Sequence, residues 1–222
     1  MTTADLSAAP VAVRDRASTS TFERWSPLGG VLFVLGWLAL TILTPAGDDI
    51  GDTPADIVAY ATKNEDWLVV AAISALASLP LIGCFVIGLY TRMQRVEDRA
   101  LPLLTLLGGV LFAVFFFVAA AIFTMPLIDM GEPKLTEAAA YGAIGDVGWL
   151  ALGGAGVGAG LMAIAASLVA LRTKAVAAWV GWLGVAAGVA SFATITFLGI
   201  FAWLGWILIV SIALLARGGR GA

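Results

Sequence analysis

LPLLTLLGGVLFAVFFFVAAAIFTMPLI, residues 101–128, runs from end to end without a charged side chain. About 20 consecutive apolar residues carry a helix across the roughly 30 Å hydrocarbon layer of a bilayer, so this stretch reads as a membrane span. The whole chain agrees with it. Of 222 residues 61% are hydrophobic and 12% charged, and the mean hydropathy is +1.00. A soluble domain carries about 25% charged residues, so most of this chain has lipid for its solvent.

Five further apolar segments flank the first, at residues 28–44, 67–90, 147–171, 175–196 and 198–216. Each is near the length of one crossing. The boundary between the last two is nearly devoid of polar residues. One helix through both would be about 60 Å long, so two helices with a tight turn near Gly199 are expected. The fold class is therefore an all-α, polytopic bundle of six transmembrane helices spanning residues 26–216. Ser26 is expected to cap the first helix, with Pro27 at its first position. Residues 1–25, rich in Ser, Thr and Ala, read as a disordered cytoplasmic tail, and residues 217–222 as a second tail. A cleaved signal peptide is the competing reading of the first apolar segment, but Thr44-Pro45-Ala46 is a poor cleavage site.

Orientation follows from the basic residues, which favour cytoplasmic loops. With the amino terminus inside, the cytoplasmic side holds Arg14, Arg16, Arg24, Arg92, Arg95, Arg99, Arg172, Lys174, Arg217 and Arg220. Only Lys63 and Lys134 fall outside. Both termini are then cytoplasmic. Tryptophans favour the two interfaces: Trp25, Trp179 and Trp182 are expected at the inner one, and Trp67, Trp149, Trp203 and Trp206 at the outer one. Trp37 lies mid-helix and needs a partner there. In the first outer loop, Thr53-Pro54-Ala55-Asp56 has the form of a capped helix start, and Asn64-Glu65-Asp66 opens the next span.

The chain has no histidine and a single cysteine, Cys84. Haem ligation by His, His-rich zinc sites, paired-Cys redox chemistry, a His general base and internal disulfides are thereby excluded. No basic patch suits nucleic acid. No charged residue falls inside the six segments. The nearest, Asp146, lies about 39 Å of helix from Arg172, which places it at the outer interface. There it is either an ion contact at the mouth of the bundle or an ordinary carboxylate at a helix start.

The run Gly153–Gly160 lacks the strand and helix start of a phosphate loop. Its Gly154/Gly158 and Gly156/Gly160 pairs, with Gly184/Gly188 in the fifth segment, are small-xxx-small patterns that let helix backbones approach closely. Whether they join helices of one chain or of two stays open. Asp48, Asp49, Asp52 and Asp56 supply hard oxygen donors without the spacing of a calcium loop, so no metal or other cofactor is expected. Pro80 should kink the second span, and Cys84 reads as a small apolar filler in it. Gly-Trp recurs at Gly36, Gly148, Gly181 and Gly205, at depths too different to argue for a duplication. Small hydroxyls (Thr41, Ser74, Ser78, Thr105, Thr124, Ser167, Ser191 and Thr194) are the groups available to line a polar cavity.

The segment Thr53–Tyr60, the "Leu-Tyr-Thr-Arg-Met-Gln-Arg" exit at Leu89–Arg95 and "Trp-Val-Gly-Trp-Leu-Gly" at Trp179–Gly184 resemble a broad set of small actinobacterial polytopic integral membrane proteins of unknown function. Nine Arg against three Lys, with abundant Ala and Gly, fit a GC-rich genome. That resemblance implies a multi-pass protein of the cytoplasmic membrane and carries no catalytic residue with it. The expected function is a non-catalytic accessory or interaction subunit; its partners would be membrane lipids and another membrane protein or a second copy. The alternative is a small-molecule or lipid-binding, permease-like transport protein.

Overall fold

The computed structural model describes residues 21–43, 53–97, 100–128, 135–174, 177–194 and 198–218. Helices α1 (Thr21–Leu43), α2 (Pro54–Lys63), α3 (Glu65–Met93), α4 (Ala100–Ile128), α5 (Leu135–Arg172), α6 (Ala178–Ser191) and α7 (Leu198–Gly218) account for nearly all of them, with no strand among the described residues. Five of these helices, α1, α3, α4, α5 and α7, are long and apolar enough to cross a membrane. The protein is an all-α membrane bundle.

Apart from the short α2, each helix packs on the next in sequence, and α7 closes on α1, so α1, α3, α4, α5, α6 and α7 form a ring. Phe33, Phe85, Phe112, Met162, Trp203 and Ile207 fill its centre. The one departure from six full-length spans is α6. Its 14 residues reach only about 21 Å at 1.5 Å per residue. A turn at residues 192–194 follows it, so the fifth and sixth apolar segments are separate helices. A Cβ on Gly199 would stand 2.5 Å from Thr194 Cα, which is why glycine occupies the start of α7.

The first helix begins earlier than expected. Residues 21–25 are helical rather than part of a disordered tail, and Ser26 lies inside α1 rather than at its cap; residues 1–20 lie outside the described residues. The physical reason is at Pro27, which has no N–H to offer the carbonyl four residues back. The freed Glu23 carbonyl accepts from Ser26 Oγ at 3.1 Å and from Arg92 Nη2 of α3. Glu23's carboxylate, itself buried, pairs with Arg95 at 2.5 Å. Arg92 at the end of α3 and Arg95 in the turn after it therefore hold the first turn of α1 in place.

The capping motif ahead of α2 is present as read. Asp56 N donates to Thr53 Oγ1 at 3.2 Å and Thr53 N donates to Asp56 Oδ2 at 3.3 Å, a reciprocal box opening α2. Two tryptophans and the cysteine sit elsewhere than expected. Trp203 and Trp206 are buried in the protein core instead of anchoring an interface, because α7 turns that face toward α1, α3 and α4. Trp203 meets Trp37 at 6.1 Å and Phe112 at 4.9 Å between ring centroids, so Trp37 has its partner helix. Cys84 is on the exposed side of α3 and is no core filler.

Candidate ligand cleft at the basic end

Successive residues of an α-helix are about 100° apart, so glycines two positions apart face nearly opposite ways. On α5 this splits the glycine run into two contact faces. Gly154 and Gly158 face α4: a Cβ on Gly154 would lie 2.8 Å from Phe115 Cγ, and one on Gly158 would lie 2.7 Å from Gly108 O. Gly156 and Gly160 face α6 and the turn beyond it, with Cβ positions 2.5 Å from Ser191 O and 2.7 Å from Gly188 O. On α6, Gly188 returns that contact against Gly160 O at 3.0 Å, and Gly184 lies against Ser167 and Trp206. All six glycines make contacts within one chain. Gly108, Gly29, Gly30 and Gly88 make equally close approaches without belonging to the glycine pairs evident in the sequence. Gly108 stands with Gly109 in a run otherwise made of large residues, and Ser26 and Gly30, four apart, form a further small-xxx-small pair whose Ser26 packs against Gly88.

Asp146 is exposed and lies inside α5, not at its start. The helix continues upstream through Ala138, Ala139 and Ala140, strong helix formers, and begins at Leu135. Asp56 is committed to the α2 cap, while Asp48, Asp49 and Asp52 lie outside the described residues. Among the described residues no group of three His, Cys, Asp or Glu side chains is placed to hold a metal ion. Several candidate cavity hydroxyls turn back onto their own helices. Thr41 donates to Trp37 O, Ser78 to Ala75 O, Thr105 to Leu101 O, Ser191 to Ala187 O and Thr194 to Ser191 O. They satisfy backbone carbonyls instead of converging on a midplane site; Thr124's side chain lies outside the described residues.

Charge is segregated between the two ends of the ring. At the end holding the start of α1 and the ends of α3, α5 and α7, the described residues comprise Arg24, Arg92, Arg95, Arg172, Lys174 and Arg217 against Glu23 and Glu97. Ion pairs tie this end together, among them Arg95 to Glu23 and Arg172 to Glu97 at 3.1 Å. Asp56, Glu65, Asp66 and Asp146, with Lys63, mark the other end.

A cleft of about 250 Å³ opens at the basic end between α3, α5, α6 and α7. Leu89, Met93, Val169, Val210 and Leu214 wall it, with Trp206 and Ser167 deeper along it. Arg92 and Arg217 also line it. Arg92 Nη2 is spent on the Glu23 carbonyl, whereas its Nη1 is buried with no hydrogen-bond partner among the described residues. An apolar slot edged by two guanidinium groups can take an anion attached to an apolar tail. In the sequence alone both arginines are only markers of orientation. A second groove, about 470 Å³ between α1 and α3, is lined by Leu32, Trp37, Trp67, Leu81 and Phe116 and by no charged side chain. Set against protein-family models, curated proteins and solved structures, the chain finds no match in any of the three.

Proposed function

We propose that the chain is a non-catalytic accessory or interaction subunit of a bacterial cytoplasmic membrane, with both termini and the basic end in the cytoplasm. The observation that carries this reading is α6. A helix of 14 residues is shorter than the hydrocarbon layer, and such a mismatch is relieved by local thinning of the bilayer or by association with other helices. Ala186 and Ala190, one turn apart, are exposed on its outer side. Small residues on an outward face let a second helix backbone approach; on α6 they lie beside the exposed Trp182 and Val189, whereas the exposed residues of α4 from Leu103 to Val118 are all bulky groups suited to lipid tails. The partner is another membrane protein or a second copy.

A photoreactive phenylalanine derivative placed at position 190 or 110 and irradiated in native membranes tests the reading. The expected result is a protein adduct of one defined mass from position 190 and none from position 110. Lipid adducts alone at both positions would sink it.

Orientation is tested through the single thiol. In a Cys84→Ala background, Ile50→Cys should react with an impermeant maleimide in intact cells, and Val96→Cys only after lysis. The warrant is the ten-to-two division of basic residues. Labelling of position 96 in intact cells would invert the map.

A second reading, a lipid- or small-molecule-binding protein of permease type, is favoured by the cleft at the basic end.

A further inference from the structure

We propose that the cleft between α3, α5, α6 and α7 is a binding site for one anionic glycerophospholipid, its phosphate held by Arg92 and Arg217 and one acyl chain lying against α7. The proposal rests on the second reading above and names the ligand chemistry. Three observations converge on it. From Trp206 to Arg217, both lining the cleft, α7 rises about 16 Å, close to half of the roughly 30 Å hydrocarbon layer. The cleft thus runs the depth of one leaflet. Its walls are aliphatic along that depth, and its charged residues are both arginines.

The buried Nη1 of Arg92 supplies the second strand of the argument. A buried donor without an acceptor is costly, and charged donors more so. Arg92 Nη2 already meets the Glu23 carbonyl, Glu23's carboxylate pairs with Arg95, and Glu97 is engaged by Arg172. A lipid phosphate at this level, met by a turn of the Arg92 guanidinium toward the cleft that it lines, would supply an acceptor and complement the excess of basic over acidic side chains at this end. A zwitterionic headgroup would bring its own cation to the same place and lose that advantage. Anionic lipids are drawn to basic pockets between helices on the cytoplasmic side by the same electrostatics.

The full-length protein, purified in mild detergent, is incubated with equal amounts of phosphatidylglycerol and phosphatidylcholine of identical chains, and retained lipid is read by native mass spectrometry. The expected result is one phosphatidylglycerol per chain, retained in preference to phosphatidylcholine. Arg217→Gln, at the exposed rim, should lower that preference about fivefold, the effect of one basic residue near a membrane surface. Arg24→Gln, exposed at the same end but outside the cleft, should leave it unchanged. Ala213→Phe, which fills the slot, should reduce retention of both lipids. Because Arg92 also holds the start of α1, Arg92→Gln is read only alongside Arg217→Gln. Equal retention of the two lipids by the parent protein overturns the anionic assignment and leaves an amphiphile cleft standing; retention of neither overturns that reading too. Displacement of the lipid by an equal concentration of inorganic phosphate would show that the acyl chain contributes nothing, and would also overturn the proposal.

Discussion

Replacing Gly158 with Leu is expected to abolish the folded, monodisperse protein in detergent. The added Cβ alone would stand 2.7 Å from Gly108 O and 2.8 Å from Phe112 Cα. Both are backbone atoms, so no side chain can rotate aside; α4 and α5 would have to separate along their contact. Overpacking that side chains can absorb costs about 1–3 kcal/mol, and a clash between two helix backbones exceeds that. Without a hydrophobic drive between helices in lipid, close packing is a principal source of association, so its loss is not offset elsewhere. Gly156→Leu should fail in the same way through Ser191 O at 2.5 Å, detaching the turn after α6. Gly145, on the same helix, has nothing within 4 Å of its Cβ position. There Gly145→Ala should raise stability slightly, since glycine in a helix interior is less favourable than alanine by about 0.5–1 kcal/mol. Thermal melting and size-exclusion profiles of the variants provide the comparison. Should Gly158→Leu melt with the parent, α4 and α5 do not approach as the structure has them.

These contacts also show what could be read from residues alone. The spans were legible because lipid imposes one requirement, an apolar run about 20 residues long, and residues 101–128 meet it without reference to any neighbour. The α2 cap was legible for a similar reason: Thr53 and Asp56 satisfy each other within one turn. What depends on a distant partner was not. Pro27 reads locally as a helix start, yet the carbonyl it frees is taken up by Arg92, and α1 extends back to Thr21. Trp203 near the end of an apolar segment reads as an interfacial anchor. Only the ring arrangement of α1, α4 and α7 turns it inward. The cleft is the strongest case, for Arg92 and Arg217 come from different helices far apart in sequence, and each alone looks like an orientation signal. Charge counts record which end they belong to but not that they edge one slot.

Trp203→Ala should be the most damaging single truncation in the core. Trp203 is fully buried, at 0% exposure, and its ring meets Phe112 at 4.9 Å, Trp37 and Phe116 at 6.1 Å, and Phe33 at 6.3 Å. It thus joins side chains of α1, α4 and α7 in one aromatic cluster. In a soluble protein a change from Trp to Ala in the core costs about 3–5 kcal/mol. Lipid tails are as apolar as the core, so the transfer part of that cost shrinks in a membrane. The part due to lost dispersion contacts and an unfilled cavity remains, and about 2–3 kcal/mol is a reasonable expectation on that basis. Trp182→Ala supplies the comparison, since that ring is 64% exposed and should cost little. Trp203→Phe separates packing from polarity. It keeps an aromatic ring among its neighbours and removes the indole N–H, which is buried without a hydrogen-bond partner among the described residues. Removing an unsatisfied buried donor recovers part of its desolvation cost, so Trp203→Phe should melt much nearer the parent than Trp203→Ala does. If Trp203→Ala instead melts with Trp182→Ala, the aromatic cluster is not what holds α1, α4 and α7 together, and the glycine contacts of α5 must carry the bundle on their own.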